Sequence, residues 1–146
     1  TTFRLPEIQL LHKHLFSELY EWAGELRQYT TGRGEISFCR PEFIVSFYGD
    51  VWRKLQNEQF LRGLNREDFA QRSAYYCSEF NAVHPFIEGN GRITRLLLQD
   101  LAATNGYRIS MTALESDKGA WCAAMKAAFE AADTRLLAKL ILSAME

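Results

Sequence analysis

The sequence predicts an all-α domain that carries one short β-hairpin. Three observations predict it. Apolar residues recur at intervals of three and four along most of the chain; that period breaks once, between Glu25 and Cys39, into a two-residue alternation around glycines; and helix-stop residues divide the periodic stretches into about six segments. Length and composition agree with a single core spanning residues 1–146: 47% of the residues are hydrophobic and 24% charged, with nine glycines and three prolines, which excludes disordered and collagen-like chains.

Leu5, Ile8, Leu11, Leu15, Leu19 and Trp22 form the stripe of a first helix, with Gly24 where such a helix stops. From 25 to about 40 the helical period is lost: Leu26 and Tyr29 flank Thr30 and Thr31, Gly32 and Gly34 bracket Arg33, and Ile36 and Phe38 alternate with Glu35 and Ser37, which predicts a hairpin with a glycine-rich tip. Two strands alone are marginal in water, so this hairpin must lean on the helical body. Pro41 suits a first helical position, and Phe43, Ile44, Phe47, Val51 and Leu55 give a second helix. Asn65 precedes Arg66, Glu67 and Asp68 as an N-cap, and Phe69, Ser73, Tyr76, Cys77 and Phe80 stripe a third helix, which Pro85 ends at His84. A Gly-Asn-Gly loop leads to a fourth helix marked by Ile93, Leu96, Leu97 and Leu101. Trp121, Met125, Ala128 and Phe129 indicate a fifth, and Leu136, Leu137, Leu140 and Ile141 a sixth.

A formal net charge of −1 supplies no overall positive field for a nucleic-acid backbone, so any anion site has to be local. No run approaches the roughly 18 apolar residues of a membrane span, and the N-terminus lacks a signal-peptide pattern. Cys39, Cys77 and Cys122 are odd in number and form no CxxC pair, which predicts unpaired cysteines packed as small apolar groups in a reducing, cytoplasmic setting. The chain starts at Thr1 without an initiator Met, which suggests that residues once preceded it.

Residues 84–95, HPFIEGNGRITR, carry the chemistry. The glycines Gly89 and Gly91 let a ligand approach the backbone, and the helix that follows presents unpaired N–H groups and its positive dipole end, the features of a phosphate site. The dipole contributes only about 0.3–1 kcal/mol, so fixed charges must add to it. Arg92 and Arg95, three apart, put two guanidinium forks on one helix face, a match to a polyphosphate. Glu88 would repel phosphates unless a Mg²⁺ bridges them, a role that one carboxylate and two phosphates fit. His84, with an unperturbed pKa near neutrality, stands at the helix end as the general base. Phe86 reads as an apolar anchor for the loop. His12 and His14, two apart, point to different helix faces; they read as surface or capping residues rather than metal ligands.

This segment resembles the Fic-family motif HxFx(D/E)GNGRxxR at every specified position. Leu15-Phe16 and Tyr20-Glu21-Trp22-Ala23-Gly24-Glu25-Leu26-Arg27 likewise resemble the family's first core helix and its exit. The resemblance implies an all-α Fic core of about six helices that transfers AMP from ATP to a protein hydroxyl, with release of pyrophosphate. It implies that His84 deprotonates the target Ser, Thr or Tyr and that Glu88 holds Mg²⁺ on the α- and β-phosphates. Gly89, Asn90 and Gly91 would form an anion hole, Arg92 would contact the phosphates, and Arg95 would reach toward the γ end. The hairpin at about 25–40 corresponds to a flap that clamps the target protein by main-chain pairing, with Ile36 as the residue that touches it or, equally, packs the hairpin onto the body. Trp121 lines the base pocket or belongs to the core.

Transfer of UMP, GMP or a related phospho-group by the same site stays open, although the intact Gly91 favours AMP over the kinase-like branch. A catalytically idle nucleotide- or partner-binding module is the alternative of another class. The family's inhibitory pattern, (S/T)xxxE(G/N), does not occur in 1–146, so Arg95 is expected to lack an inhibitory partner within this chain. That helix would then come from a small antitoxin protein or from upstream sequence, or the domain is unrestrained. The resemblance places the protein in the bacterial cytoplasm, or in a host cytosol for a secreted effector.

Overall fold

The computed structural model describes residues 3–33 and 36–146; Gly34 and Glu35, at the tip of the expected hairpin, lie outside the described residues. Helix α1 (Leu5–Phe16) buries Leu5, Ile8, His12 and Phe16. It ends earlier than the apolar spacing predicts: residues 17–24 run through successive turns, and Leu19 is 70% exposed. Those turns bring Gly24 back against α1, in a left-handed conformation (φ +85°) where a Cβ would sit 2.9 Å from the Lys13 Cβ, so a side chain there has no room.

The hairpin consists of β1 (Gly32–Arg33) and β2 (Ile36–Ser37), antiparallel, with Gly32 opposite Ser37 and Arg33 opposite Ile36. The Phe38 N–H donates to Thr31 O (2.8 Å) and continues the pairing one residue beyond the strands, after which the chain turns to the body: the Cys39 N–H donates to Ala82 O (3.0 Å) and the Arg27 N–H to Pro85 O (2.9 Å). A 3-10 turn, Pro41–Phe43, leads into α2 (Ile44–Asn57), which buries Ile44, Tyr48, Val51 and Leu55. Tyr48 replaces the predicted Phe43 on this face; its hydroxyl, which prefers a buried acceptor, donates to Phe3 O at 2.6 Å.

Helix α3 (Arg66–Val83) is the centre of the bundle. Asn65 caps it by accepting from the Asp68 N–H at 2.8 Å, and the predicted stripe Phe69, Ser73, Tyr76, Cys77 and Phe80 is buried. It packs against α2, α4 (Asn90–Thr104), α6 (Lys118–Ala131) and α7 (Arg135–Ala144). A further helix, α5 (Met111–Glu115), capped by Ser110, is absent from the periodic pattern because five residues are too short for a periodicity to register. The described residues thus form seven α-helices rather than six. The C-terminus is fastened where Ser110 N–H donates to Ala144 O and Glu146 N–H to Arg108 O, at 2.9 and 2.8 Å.

The three cysteines are unpaired. Cys77 is buried, as a small apolar residue should be, but Cys122 is exposed on the outer face of α6. No helix among the described residues is long and apolar enough to cross a membrane.

Beside α3, Arg72 donates from Nε (2.9 Å) and Nη2 (2.6 Å) to the two oxygens of Glu58, and the Tyr76 hydroxyl also donates to Glu58. The Arg72 bonds hold the Glu58 carboxyl below the usual carboxylate range. A carboxyl whose pKa is depressed by folding stabilises above its unfolded pKa, near 4.5, and loses that contribution as pH falls through the folded value. Both side chains are partly exposed, so Glu58→Gln should cost about 1 kcal/mol at pH 7. Thermal unfolding followed from pH 7 to 3 should show the two proteins converging as the pH drops; a constant gap would place the stabilisation elsewhere.

Candidate active site

His84 caps α3 in the left-handed region (φ 49°, ψ 62°), a conformation that histidine tolerates better than most residues, and the following Pro85 disfavours the right-handed one that would continue the helix. Its N–H still reaches Phe80 O, and its ring is stacked flat on Phe38 at 3.7 Å, with Phe38 stacked in turn on Phe129. The base predicted from sequence is thus held between the end of α3 and the root of the hairpin.

The loop that follows is closed by its own residues. Asn90 accepts from the Phe86 N–H at Oδ1 (2.9 Å) and donates from Nδ2 to Phe86 O (2.8 Å), so its buried side chain braces the loop. What Asn90 offers outward is its backbone N–H, beside those of Gly91 and Arg92 at the opening of α4; the Ile93 N–H is already bonded to Gly89 O. Gly89 is left-handed (φ +87°), and a Cβ there would lie 2.6 Å from the Phe16 ring, so this turn demands glycine. Phe86 is fully buried, as its anchor role requires.

Glu88 and Arg92 are exposed beside this turn, and the Arg92 guanidinium lies 5.9 Å from the Phe16 ring centre. Arg95 is half-buried one turn on, over Trp121 at 5.5 Å. Both arginines line a cavity of about 520 Å³ with Leu114, Glu115, Lys118, Trp121 and Cys122. Trp121 is 5% exposed, so it serves as core and as the shelf beneath Arg95. Arg95 also faces a carboxylate that periodicity and motif do not point to: Glu115 at the end of α5 places Oε1 3.4 Å from its Nε. Nothing in the sequence pattern points to this pair, because the short α5 that carries Glu115 leaves no periodicity. Ile36 is 36% exposed on β2, so its side chain does not serve as the hairpin's main packing contact; Phe38 does.

Two residues assigned no role from sequence hold this site together. Arg27 is 2% exposed and donates to the carbonyls of Val83, His84, Tyr29 and Cys39. It joins both sides of the hairpin root to the last carbonyls of α3, where a cation is favoured. His12, read as a surface or capping residue, is fully buried. The Gly24 N–H donates to its Nδ1 and its Nε2 donates to Glu88 O, both at 2.8 Å. Burial lowers its pKa, against the opposing pull of the Glu88 carbonyl. The signal was present: Ile8, His12 and Phe16 recur every four residues on the buried face, whereas the comparison with His14, which is exposed, concealed it. Among the described residues no three His, Cys, Asp or Glu side chains form a metal-binding group.

A sequence profile described as the Fic/DOC family matches residues 2–102. The chain belongs to the Fic/DOC family. It is 40% identical over 113 residues to the protein adenylyltransferase VbhT of Bartonella schoenbuchensis, an alignment covering 77% of this chain and 24% of that protein. It is 33% identical over 117 residues to a probable protein adenylyltransferase Fic of Escherichia coli, covering 80% of this chain and 58% of the relative. The chain therefore spans between a quarter and somewhat over half of the length of these Fic/DOC relatives. In structure it is similar to the BepC effector of Bartonella tribocorum, crystallised with AMPPNP, with a TM-score of 0.88 at 22% identity over 99% of this chain and 75% of that one. That likeness shows the Fic fold.

Proposed function

We infer that this Fic/DOC chain transfers AMP from ATP to a Ser, Thr or Tyr hydroxyl of a target protein. The observation that carries the reading is the arrangement of one loop: a histidine fixed at the end of α3, and, within a turn of the opening of α4, a free-standing carboxylate and two arginines. The adenylyltransferase names of the relatives and the ATP analogue in the BepC crystal support it.

In this reading His84 accepts the hydroxyl proton, the hydroxyl oxygen forms a bond to the α-phosphorus, and the bond to the β-phosphate oxygen breaks, so pyrophosphate departs with the electron pair. The N–H groups of Asn90, Gly91 and Arg92 and the Arg92 guanidinium offset the charge on the phosphates. Glu88 fits a Mg²⁺ that takes most of its oxygen ligands from phosphates and water, since it stands without a second acidic ligand in a described metal-binding group. Bound there, the ion would neutralise the leaving pyrophosphate. The exposed edge of β2, with Ile36, is the surface proposed to pair with the target's main chain. A helix supplied by a small antitoxin would have to compete with Glu115 for Arg95.

Incubation with α-labelled ATP, UTP and GTP in separate lysate reactions tests the reading. Label from ATP should appear on protein hydroxyls; label from UTP or GTP alone would reassign the nucleotide, and tight ATP binding with no transfer would favour the idle module. Arg95→Ala should weaken ATP about tenfold while leaving ADP nearly unchanged, because one charge-assisted bond to the γ end is lost. Calorimetry with both nucleotides checks this, and equal losses would contradict the placement of Arg95.

A further inference from the structure

We propose that His12 is a positioning residue that fixes the Glu88–Gly89 peptide and so aims the opening of α4. The proposal rests on the phosphate-site reading above and adds to it a residue outside the motif. Three segments distant in sequence meet on this imidazole: α1, which carries it, the turn at Gly24, and the loop at 86–89. The ring is stacked on Phe86 at 4.0 Å with 14° between planes, and Phe16 and Trp22 enclose it at 4.7 and 6.0 Å.

Its two nitrogens do different work. The Gly24 N–H donates to Nδ1, so the proton is on Nε2, and Nε2 donates to the Glu88 carbonyl. In a trans peptide the carbonyl and the following N–H point in opposite directions. Holding Glu88 O toward α1 therefore turns the Gly89 N–H away from α1. It also fixes where the Glu88 side chain leaves the backbone and where α4 begins. A residue that only filled space would have no need of two directed bonds at opposite ring atoms. The fit is close as well: a Cβ on Gly89 would lie 3.3 Å from Nε2, so any side chain at that position would crowd the imidazole.

The two bonds can be separated by substitution. His12→Gln carries an amide N–H at the depth of Nε2 and keeps the Glu88 bond. His12→Asn carries a carbonyl at the depth of Nδ1 and keeps the Gly24 bond. His12→Phe keeps the volume and the stack and loses both. Calorimetric ATP affinity in the presence of Mg²⁺, at a temperature where thermal melting shows every variant folded, is the deciding measurement.

His12→Gln should stay within about threefold of wild type, while His12→Asn and His12→Phe should lose about 10–100-fold, the usual effect of removing a group that orients a binding residue. Wild-type affinity in His12→Asn or His12→Phe, or a loss in His12→Gln as large as in His12→Asn, would overturn the proposal. Should the substitutions unfold the chain, nitrogen NMR of the wild-type imidazole decides: a neutral ring protonated on Nε2 supports the assignment, and a proton on Nδ1 overturns it. A wild-type chain that binds ATP but labels no protein would refute AMP transfer and leave the role of His12 standing on the binding data. One that binds no ATP would refute both.

Discussion

His84→Ala should lower the rate of AMP transfer by about 10²–10⁴-fold, the contribution of a well-placed general base, with ATP affinity changed only a few-fold. In the proposed reaction the imidazole acts on the hydroxyl proton, whereas Arg92, Arg95 and the N–H groups of α4 would hold the phosphates. Alanine also removes the stack on Phe38 and leaves a residue poorly suited to φ 49°, so a second variant separates these effects. His84→Asn accepts the left-handed conformation but cannot take up a proton near neutrality. Both variants should be equally inactive, and Asn should melt closer to wild type. Single-turnover labelling gives the rate; retention of more than a tenth of it by either variant would falsify the base assignment.

The second large effect concerns stability. Arg27→Met should destabilise the domain by about 3 kcal/mol or more, because the carbonyls of Val83, His84, Tyr29 and Cys39 lose their shared donor at a site closed to water, each such loss costing about 1–3 kcal/mol when uncompensated. For a chain of 146 residues this corresponds to a fall in melting temperature of about 6–12 °C. Arg27→Lys should recover little, since an ammonium is a point donor and cannot span acceptors on both sides of the hairpin root as a planar fork does. A lysine variant within about 1 kcal/mol of wild type in thermal or denaturant unfolding would show that charge, rather than fork geometry, supplies the stabilisation. The same variants should lose transfer activity beyond what their stability explains, because Arg27 bonds the backbone of His84 itself.

The stripe of α3 and its Asn65 cap were legible because a long helix buried on one side repeats its apolar spacing several times. The short α5 does not repeat, and with it Glu115, the carboxylate facing Arg95, escaped notice. Ile36 and Phe38 alternate in sequence as a strand should. The alternation places both on one face, yet only Phe38 is buried; the pattern could not indicate that Phe38 packs on His84 while Ile36, nearer the tip, stays exposed.

The sequence by itself determined the all-α class, the family, and the run of residues from His84 to Arg95 that carries the candidate site. These are encoded locally, in periodicity, in caps and in a motif whose members are neighbours along the chain. Only the tertiary structure decided what holds that run in place. Arg27 meets the end of α3 across 56 residues, and His12 meets Glu88 across 76. A side chain that bonds to backbone amides and carbonyls leaves no pattern among its own neighbours, and its partners exist as partners only after the helices pack.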